Sequence, residues 1–320
     1  MKKIVVIGCY FGKLRSDYKT WLKSCSYNSS IDWLIFSDCK WEDLPSNVKV
    51  VNSTFSDFAS KVKSCFDFDI CLENAYKLCD YKPAYGYIFS EYIKGYDFWG
   101  YCDFDMIFGD IRKFISEEVL EEYDKIYHLG HLSLYRNHDK INKAFMSKKG
   151  NMYYKDVFKT SIIKVFDEEG MCSIFKNEGF KTYQKIDFVD ISKFSKKMLH
   201  SKLERYFDIE KPINYHFQTF MFDNGKLYKV YKKFFSKEMI YDEIVYLHYS
   251  GKSYPSVIDA NKFLITSKGL KEIPDNLFQY DRTLCFALEK ILMLVREFKF
   301  RVVRKMNKIK QQKKEENYDA

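Results

Sequence analysis

Short, unbroken apolar runs alternate with amphipathic stretches along the first third of the chain. Lys3–Cys9 has the pattern of a strand buried on both faces, and Ile31–Phe36, Val48–Val51 and Asp97–Cys102 read the same way. Between them, Asp17–Cys25 and Phe55–Phe66 carry apolar residues at helical spacing. Leu72–Leu78 and Pro83–Ile93 predict two more helices, with Pro83 suited to a first turn. Ile111–Val119 reads as a helix, Lys125–Leu129 and Leu132–Arg136 as strands flanking Gly130, and Glu243–Tyr249 as a late strand. Short helices and strands mix between these as far as residue 230, and 282–312 is one long helical pattern. Strands alternating with helices predict an α/β fold with a mostly parallel, Rossmann-like sheet flanked by helices.

Composition narrows this picture little. The chain has 320 residues, 46% hydrophobic and 30% charged, which is enough to bury a substantial core. No run approaches the length of a membrane-spanning helix, and the short N-terminal apolar run carries no cleavage pattern, so the expectation is a cytoplasmic protein. Nine cysteines without a CxxC pair are expected to be reduced. The net charge of +9 is concentrated: residues 296–314 hold nine Lys/Arg against Glu297 alone. The remainder is nearly neutral, which argues against a nucleic-acid-binding face.

Parallel sheets bind ligands at the carboxyl ends of their strands. Cys9–Lys13, with Tyr10, Phe11 and Gly12, then Ser37-Asp38 and Asp103–Asp105 all fall at such ends and mark a candidate nucleotide site. Neither GxGxxG nor a P-loop is present, which disfavours a dinucleotide fold and a P-loop. In Asp103-Phe104-Asp105, carboxylates two residues apart in extended chain point to one side. They suit a hard divalent cation such as Mg²⁺ or Mn²⁺; a solvated strand end is the other reading, and Asp67-Phe68-Asp69 repeats the tripeptide. Late in the chain, Leu247-His248-Tyr249-Ser250-Gly251-Lys252 brings a His and then a Lys to another strand end. Phe166-Asp167-Glu168-Glu169-Gly170 holds three adjacent acids, one of which can serve as a general base or hold an acceptor hydroxyl, unless they are a solvated helix turn. His131 and Arg136 are candidates for the wall of an acceptor pocket.

These residues resemble a GT-A glycosyltransferase that uses a nucleotide sugar. Asp103-Phe104-Asp105 matches the DxD motif, and His248–Lys252 is similar to the C-terminal His-x-x-Gly-x-x-Lys element of glycogenin-like and bacterial galactosyltransferases, although Lys252 follows Gly251 directly. Asp80–Gly86 resembles a helix start in small bacterial polysaccharide-assembly glycosyltransferases, a largely uncharacterised family that is the nearest likeness over about residues 1–255. The resemblance implies that Asp105 and His248 ligate Mn²⁺ or Mg²⁺, with Asp103 either a third ligand or a contact to the ribose of the sugar nucleotide. It implies that Lys252 approaches the phosphates, that Lys82 approaches the phosphates or the donor sugar, and that Tyr10, Phe11 and Asp38 surround the base; an exposed Lys at a capped helix start, and plain loop and core, are the other readings of Lys82 and of the latter three. It also implies transfer of a hexose from a nucleoside diphosphate sugar, UDP favoured, to a surface polysaccharide or lipid-linked glycan, as in capsule or lipopolysaccharide assembly. A sugar-phosphate nucleotidyltransferase and a non-catalytic scaffold of the same fold are the alternatives.

The domain expectation is a transferase unit at 1–255, a connecting segment at 256–281 and a basic helix with its tail at 282–320, disordered from 311. In that helix Leu284, Leu288, Ile291, Val295, Phe298, Val302, Met306 and Ile309 form one apolar stripe, with Lys290, Arg301, Arg304 and Lys308 opposite. Such a helix suits the inner, anionic face of a membrane; docking on the domain is the other reading.

Overall fold

The computed structural model describes residues 1–201, 213–215, 217–233, 238–252, 260–274 and 286–316, with side chains of the last helix described from 289 to 306. Strands β1 (Ile4–Tyr10), β2 (Ile31–Ser37), β3 (Val48–Asn52) and β4 (Phe98–Cys102) lie parallel in the order β3-β2-β1-β4. Helix α1 (Tyr18–Ser26) packs Trp21, Leu22 and Cys25 against Ile4 and Val6 on one face. Helix α2 (Phe55–Ser64), capped by the Thr54 hydroxyl accepting from Asp57 N, packs Phe58 and Val62 against Val5 and Ile7 on the other. Both faces are covered, which is why these strands read as continuous apolar runs.

The next segment departs from expectation. Residues Ala75–Ala84 wind as a 3₁₀-helix, with Pro83 in its last turn, and only Tyr85–Ile88 (α3) is α-helical. The 3₁₀ winding eclipses residues three apart, which sets the buried Lys77 Nζ 2.7 Å from Asp80. After β4 come β5 (Met106–Phe108), α4 (Ile111–Phe114) and α5 (Glu117–Glu122). Ser116 caps α5 and so splits what the pattern predicts as one helix. Strand β6 (Lys125–Ile126) is shorter than expected, because Tyr127 takes a left-handed conformation. Strand β7 (Leu132–Arg136), helices α6 (Asp139–Asn142), α7 (Tyr154–Lys159) and α8 (Met171–Glu178), and β8 (Thr182–Tyr183) complete the unit. The seven-stranded sheet has the order β3-β2-β1-β4-β7-β6-β8, and β7 alone runs against the rest. The fold is therefore the expected α/β class, with a largely parallel central sheet.

Two smaller sheets follow. Strands β9 (Val189–Asp190) and β13 (Tyr246–His248) join β5 in the order β5-β13-β9. Strands β10 (Phe217–Asp223), β11 (Lys226–Lys232), β12 (Ile240–Glu243), β14 (Lys262–Thr266) and β15 (Gly269–Lys271) form an antiparallel sheet in the order β12-β11-β10-β14-β15. Part of the expected connecting segment thus belongs to a sheet: Phe263, Leu264 and Ile265 are buried against β10. The expected boundary at 255 lies outside the described residues. Helix α9 (Phe286–Glu316) continues past residue 311, where disorder was expected. Leu284 and the side chains of Leu288, Lys308 and Ile309 lie outside the described residues.

Candidate active site

The register of the three-stranded sheet builds the site. Pairing of β13 with β5 sets His248 opposite Met106, immediately after Asp105, and pairing with β9 sets His248 beside Asp190. Phe104 turns the other way, into the rings of Trp21, Tyr10 and Trp41. It seats directly on β1 at Gly8, where a Cβ would fall 2.5 Å from the Phe104 ring. Asp103 and Asp105 therefore share one side. His248 Nε2 lies 3.4 Å from Asp105 and 4.0 Å from Asp103, while its Nδ1 lies 2.7 Å from Asp190. Gly251 N donates to the second Asp105 oxygen at 2.7 Å.

A second group meets these carboxylates from the other side. Lys82 Nζ donates to Asp103 at 2.6 Å and to Gly130 O at 2.8 Å, and lies 3.7 Å from Asp167. Gly130 N donates to Glu168 at 2.9 Å, and a Cβ on Gly130 would fall 2.3 Å from the Asp167 carboxylate. Asp167 and Glu168 sit in a π-helical turn, Phe166–Gly170, entered through Val165 at φ 60, a costly conformation for a β-branched residue. Asp80 holds that turn in place by accepting from Lys164 N and Phe166 N, each at 2.9 Å. Lys77 Nζ in turn ties Asp80 to Val157 O and Ile162 O. His131 stacks on His248 with ring centroids 3.9 Å apart.

Electrostatics divide these groups into charged and neutral. Burial would raise the Asp105 carboxyl, but His248 and Gly251 N outweigh it and hold it far below the carboxylate range. Burial opposes charge on His248, yet Asp105 and Asp190 outweigh it and raise its pKa well above the ordinary value. Burial likewise opposes charge on Lys82, and Asp103 and Asp167 keep it charged. Burial, with His248 close by, lowers His131 to about 3. Burial raises Asp167 to about 8 despite Lys82, with the Glu168 charge adding to the rise.

The ligand atoms of Asp103, Asp105 and His248 all lie within 4.8 Å of one another, so a single cation can reach all three. Hard oxygens with one imidazole suit Mn²⁺ or Mg²⁺, and a carboxylate on the far ring nitrogen is the usual support of a metal-binding histidine. His131, Asp190 and His248 lie equally close, but the Asp190–His248 hydrogen bond already occupies that pair. The donor set fits the implied metal.

A cleft of about 960 Å³ opens over these groups, and Lys82, Asp103, Asp105, His131, Asp167, Glu168 and His248 lie on its wall. Other expected residues are elsewhere. Gly12 N donates to Asp38 at 2.8 Å, Tyr10 OH donates to Lys13 O, and Phe11 packs on Phe55 and Phe58; none of these lines the cleft. Arg136 donates to the carbonyls of Leu120, Glu121 and Tyr123 at the end of α5, so its guanidinium is spent on a helix terminus. Lys252 turns away and donates to Ser192 O at 2.7 Å, where burial lowers it to about 8. The sequence reading missed Asp190, whose signal is only a two-residue apolar step before an acid, and it missed the α9 residues that face the cleft.

No curated protein matches the chain. Among solved structures, the galactosyltransferase LgtC in complex with donor and acceptor sugar analogues is 13% identical, covers 80% of this chain and 90% of its own, and has a TM-score of 0.38. A Desulfovibrio desulfuricans G20 protein described as a nucleotide-diphospho-sugar transferase is 10% identical, with coverage of 58% and 80% and a TM-score of 0.34. The glycosyltransferase GlyE of Streptococcus pneumoniae TIGR4 is 14% identical, with coverage of 58% and 45% and a TM-score of 0.29. A family model spans most of the chain, matching residues 6–274, and the chain belongs to that family, a family of unknown function (DUF6625).

Proposed function

We propose that this protein is a metal-dependent, GT-A-type glycosyltransferase that moves a hexose from a nucleoside diphosphate sugar, UDP favoured, to a surface polysaccharide or lipid-linked glycan. The observation that carries the reading is the convergence of Asp103, Asp105 and His248 on one point of a cleft large enough for a nucleotide sugar. Asp103, Asp105 and His248 would hold Mn²⁺ or Mg²⁺, which when bound neutralises diphosphate charge and acts as a Lewis acid. Asp190 orients His248 so that Nε2 faces the two carboxylates. Lys82 adds a fixed positive charge beside Asp103, where charge develops on a departing diphosphate. Asp167, with its raised pKa, and Glu168, oriented by Gly130 N, face the cleft as the groups that receive the acceptor hydroxyl or its proton.

The outer stripe of α9 fits attachment to an anionic membrane surface: Ile291, Val295, Phe298 and Val302 are exposed beside a strongly basic run. Among the described residues, no helix is long and apolar enough to cross a membrane.

Thermal melting with UDP, GDP, CMP and their sugar conjugates, each with and without Mn²⁺, tests the reading. A Mn²⁺-dependent rise with one diphosphate nucleoside, absent in Asp105→Asn, is expected. A rise only with nucleoside triphosphates points to a nucleotidyltransferase, and no rise with any of them to a scaffold.

A further inference from the structure

Helix α9 presents two opposite faces. At about 100° per residue, Ile291, Val295, Phe298 and Val302 fall on one side, and Glu289, Met293, Phe300 and Arg304 on the other. The second side meets the domain. Met293 and Glu289 are buried there, and the Glu289 carboxylate accepts from Lys196 N at 2.6 Å and from Arg296. The Phe300 ring packs on Phe194 at 5.3 Å, and Lys193 Nζ lies 3.9 Å from the Phe300 ring centroid. Phe300 and Arg304 then continue along the cleft wall, which Lys193, Phe194 and the exposed Tyr76 also line.

The cations on this wall differ in their partners. Lys82, deeper in the cleft, is matched by Asp103 and Asp167. Glu297, the acid that α9 contributes to the wall, pairs with Arg301 of its own helix. Lys193 and Arg304 form no ion pair with a carboxylate among the described residues. Burial and the nearby Arg304 charge hold the Lys193 ammonium below its ordinary range, the situation of two cations sharing a space. Two cations without an ion pair among the described residues, Lys193 over the Phe194 and Phe300 rings and Arg304 on the same cleft wall, suit a saccharide that carries its own phosphate.

We propose that Lys193 and Arg304 bind a phosphate ester at the reducing end of the acceptor, with Phe194 and Phe300 as its apolar wall, so that the acceptor is a phosphate-linked saccharide on a lipid. This rests on the transferase reading for the name "acceptor", but the phosphate subsite itself does not. The lipid source follows from the helix. With the apolar stripe in the lipid surface, the cleft wall stands about one helix diameter, ~10 Å, from the headgroups. A phosphate on a lipid anchor reaches that position, with its saccharide directed toward Asp167 and Glu168.

The test titrates the full chain with glucose 1-phosphate, with a glucosyl hexyl phosphate diester that stays monomeric, and with hexyl glucoside as the phosphate-free control. The wild type is expected to bind the diester most tightly and hexyl glucoside least. Lys193→Gln/Arg304→Gln is expected to weaken the diester about a hundredfold, roughly tenfold for each of the two charge-assisted contacts removed, with the Mn²⁺-dependent nucleotide shift unchanged. Equal binding of the diester by variant and wild type overturns the subsite. Equal loss of the nucleotide shift also overturns it, by assigning the cations to the donor. Glucose 1-phosphate binding as tightly as the diester overturns the lipid source and leaves a soluble sugar phosphate as the ligand. A wild type that binds the diester but shows no nucleotide shift fails the transferase reading and not this one.

Discussion

His248 and Asp190 share a 2.7 Å hydrogen bond between two buried side chains, and that bond turns the opposite ring nitrogen toward Asp105. Residues 58 positions apart are set side by side by the parallel pairing of β9 with β13. Asp190→Asn keeps the shape and removes the charge that fixes the ring. Mn²⁺ affinity is expected to fall about 10–100-fold, with a folded protein by thermal melting. Mn²⁺ titration followed by electron paramagnetic resonance checks this; unchanged affinity would reduce Asp190 to packing.

The Lys77–Asp80 pair is 1% and 0% exposed and anchors the strained turn before Asp167. Lys77→Met strands a buried carboxylate and is expected to cost about 3–5 kcal/mol in urea unfolding. Lys77→Met/Asp80→Asn should cost less than Lys77→Met alone, because no uncompensated charge remains. A double variant weaker than the single would show that the backbone bonds to Asp80 outweigh the ion pair.

Stability should decline with acid in a defined window. Burial, helped by Lys125 for His128 and by Lys229 for His200, lowers both histidines from 6.5 to about 3. Below pH 6.5 the unfolded chain takes up these protons and the folded chain does not, so stability is lost as pH falls from 6.5 toward 3. Each pH unit in that window costs about 1.4 kcal/mol per histidine. Melting temperatures measured across the window should fall less steeply for His128→Gln/His200→Gln. Parallel slopes for variant and wild type would mean other groups carry the acid loss.

The outer face of α9 is testable without disturbing the cleft. Ile291 and Phe298 are 58% and 69% exposed. Ile291→Glu/Phe298→Glu is expected to abolish co-sedimentation with phosphatidylglycerol-containing vesicles, and added salt to weaken the wild type's binding. Retained sedimentation of the variant would refute membrane attachment through this face. Deleting the helix outright is the poorer experiment, because Met293 and Phe300 also line the cleft.

The sequence by itself determined the parallel half of the sheet, since strands covered on both faces must be continuously apolar, as β1 and β4 are. It also predicted that Asp103 and Asp105 share a side while Phe104 takes the other, but from extended chain; in the structure residues 104–105 bend between β4 and β5, and the Phe104 ring seated on Gly8 and the pairing of β5 with β13 set that division instead. The apolar stripe on α9 was legible because helical periodicity needs no partner. Only the tertiary structure decided what joins them. Asp190 reaches His248 through strand pairing, Lys82 reaches Asp167 through a 3₁₀ turn anchored by Lys77, and the inner face of α9 reaches the cleft through Phe194. It also decided which expected residues are absent from the wall, since Arg136 and Lys252 bond to backbone carbonyls that no local pattern reveals. Local patterns record which way a side chain points; contacts between distant segments depend on register and packing, which one chain's periodicity does not encode.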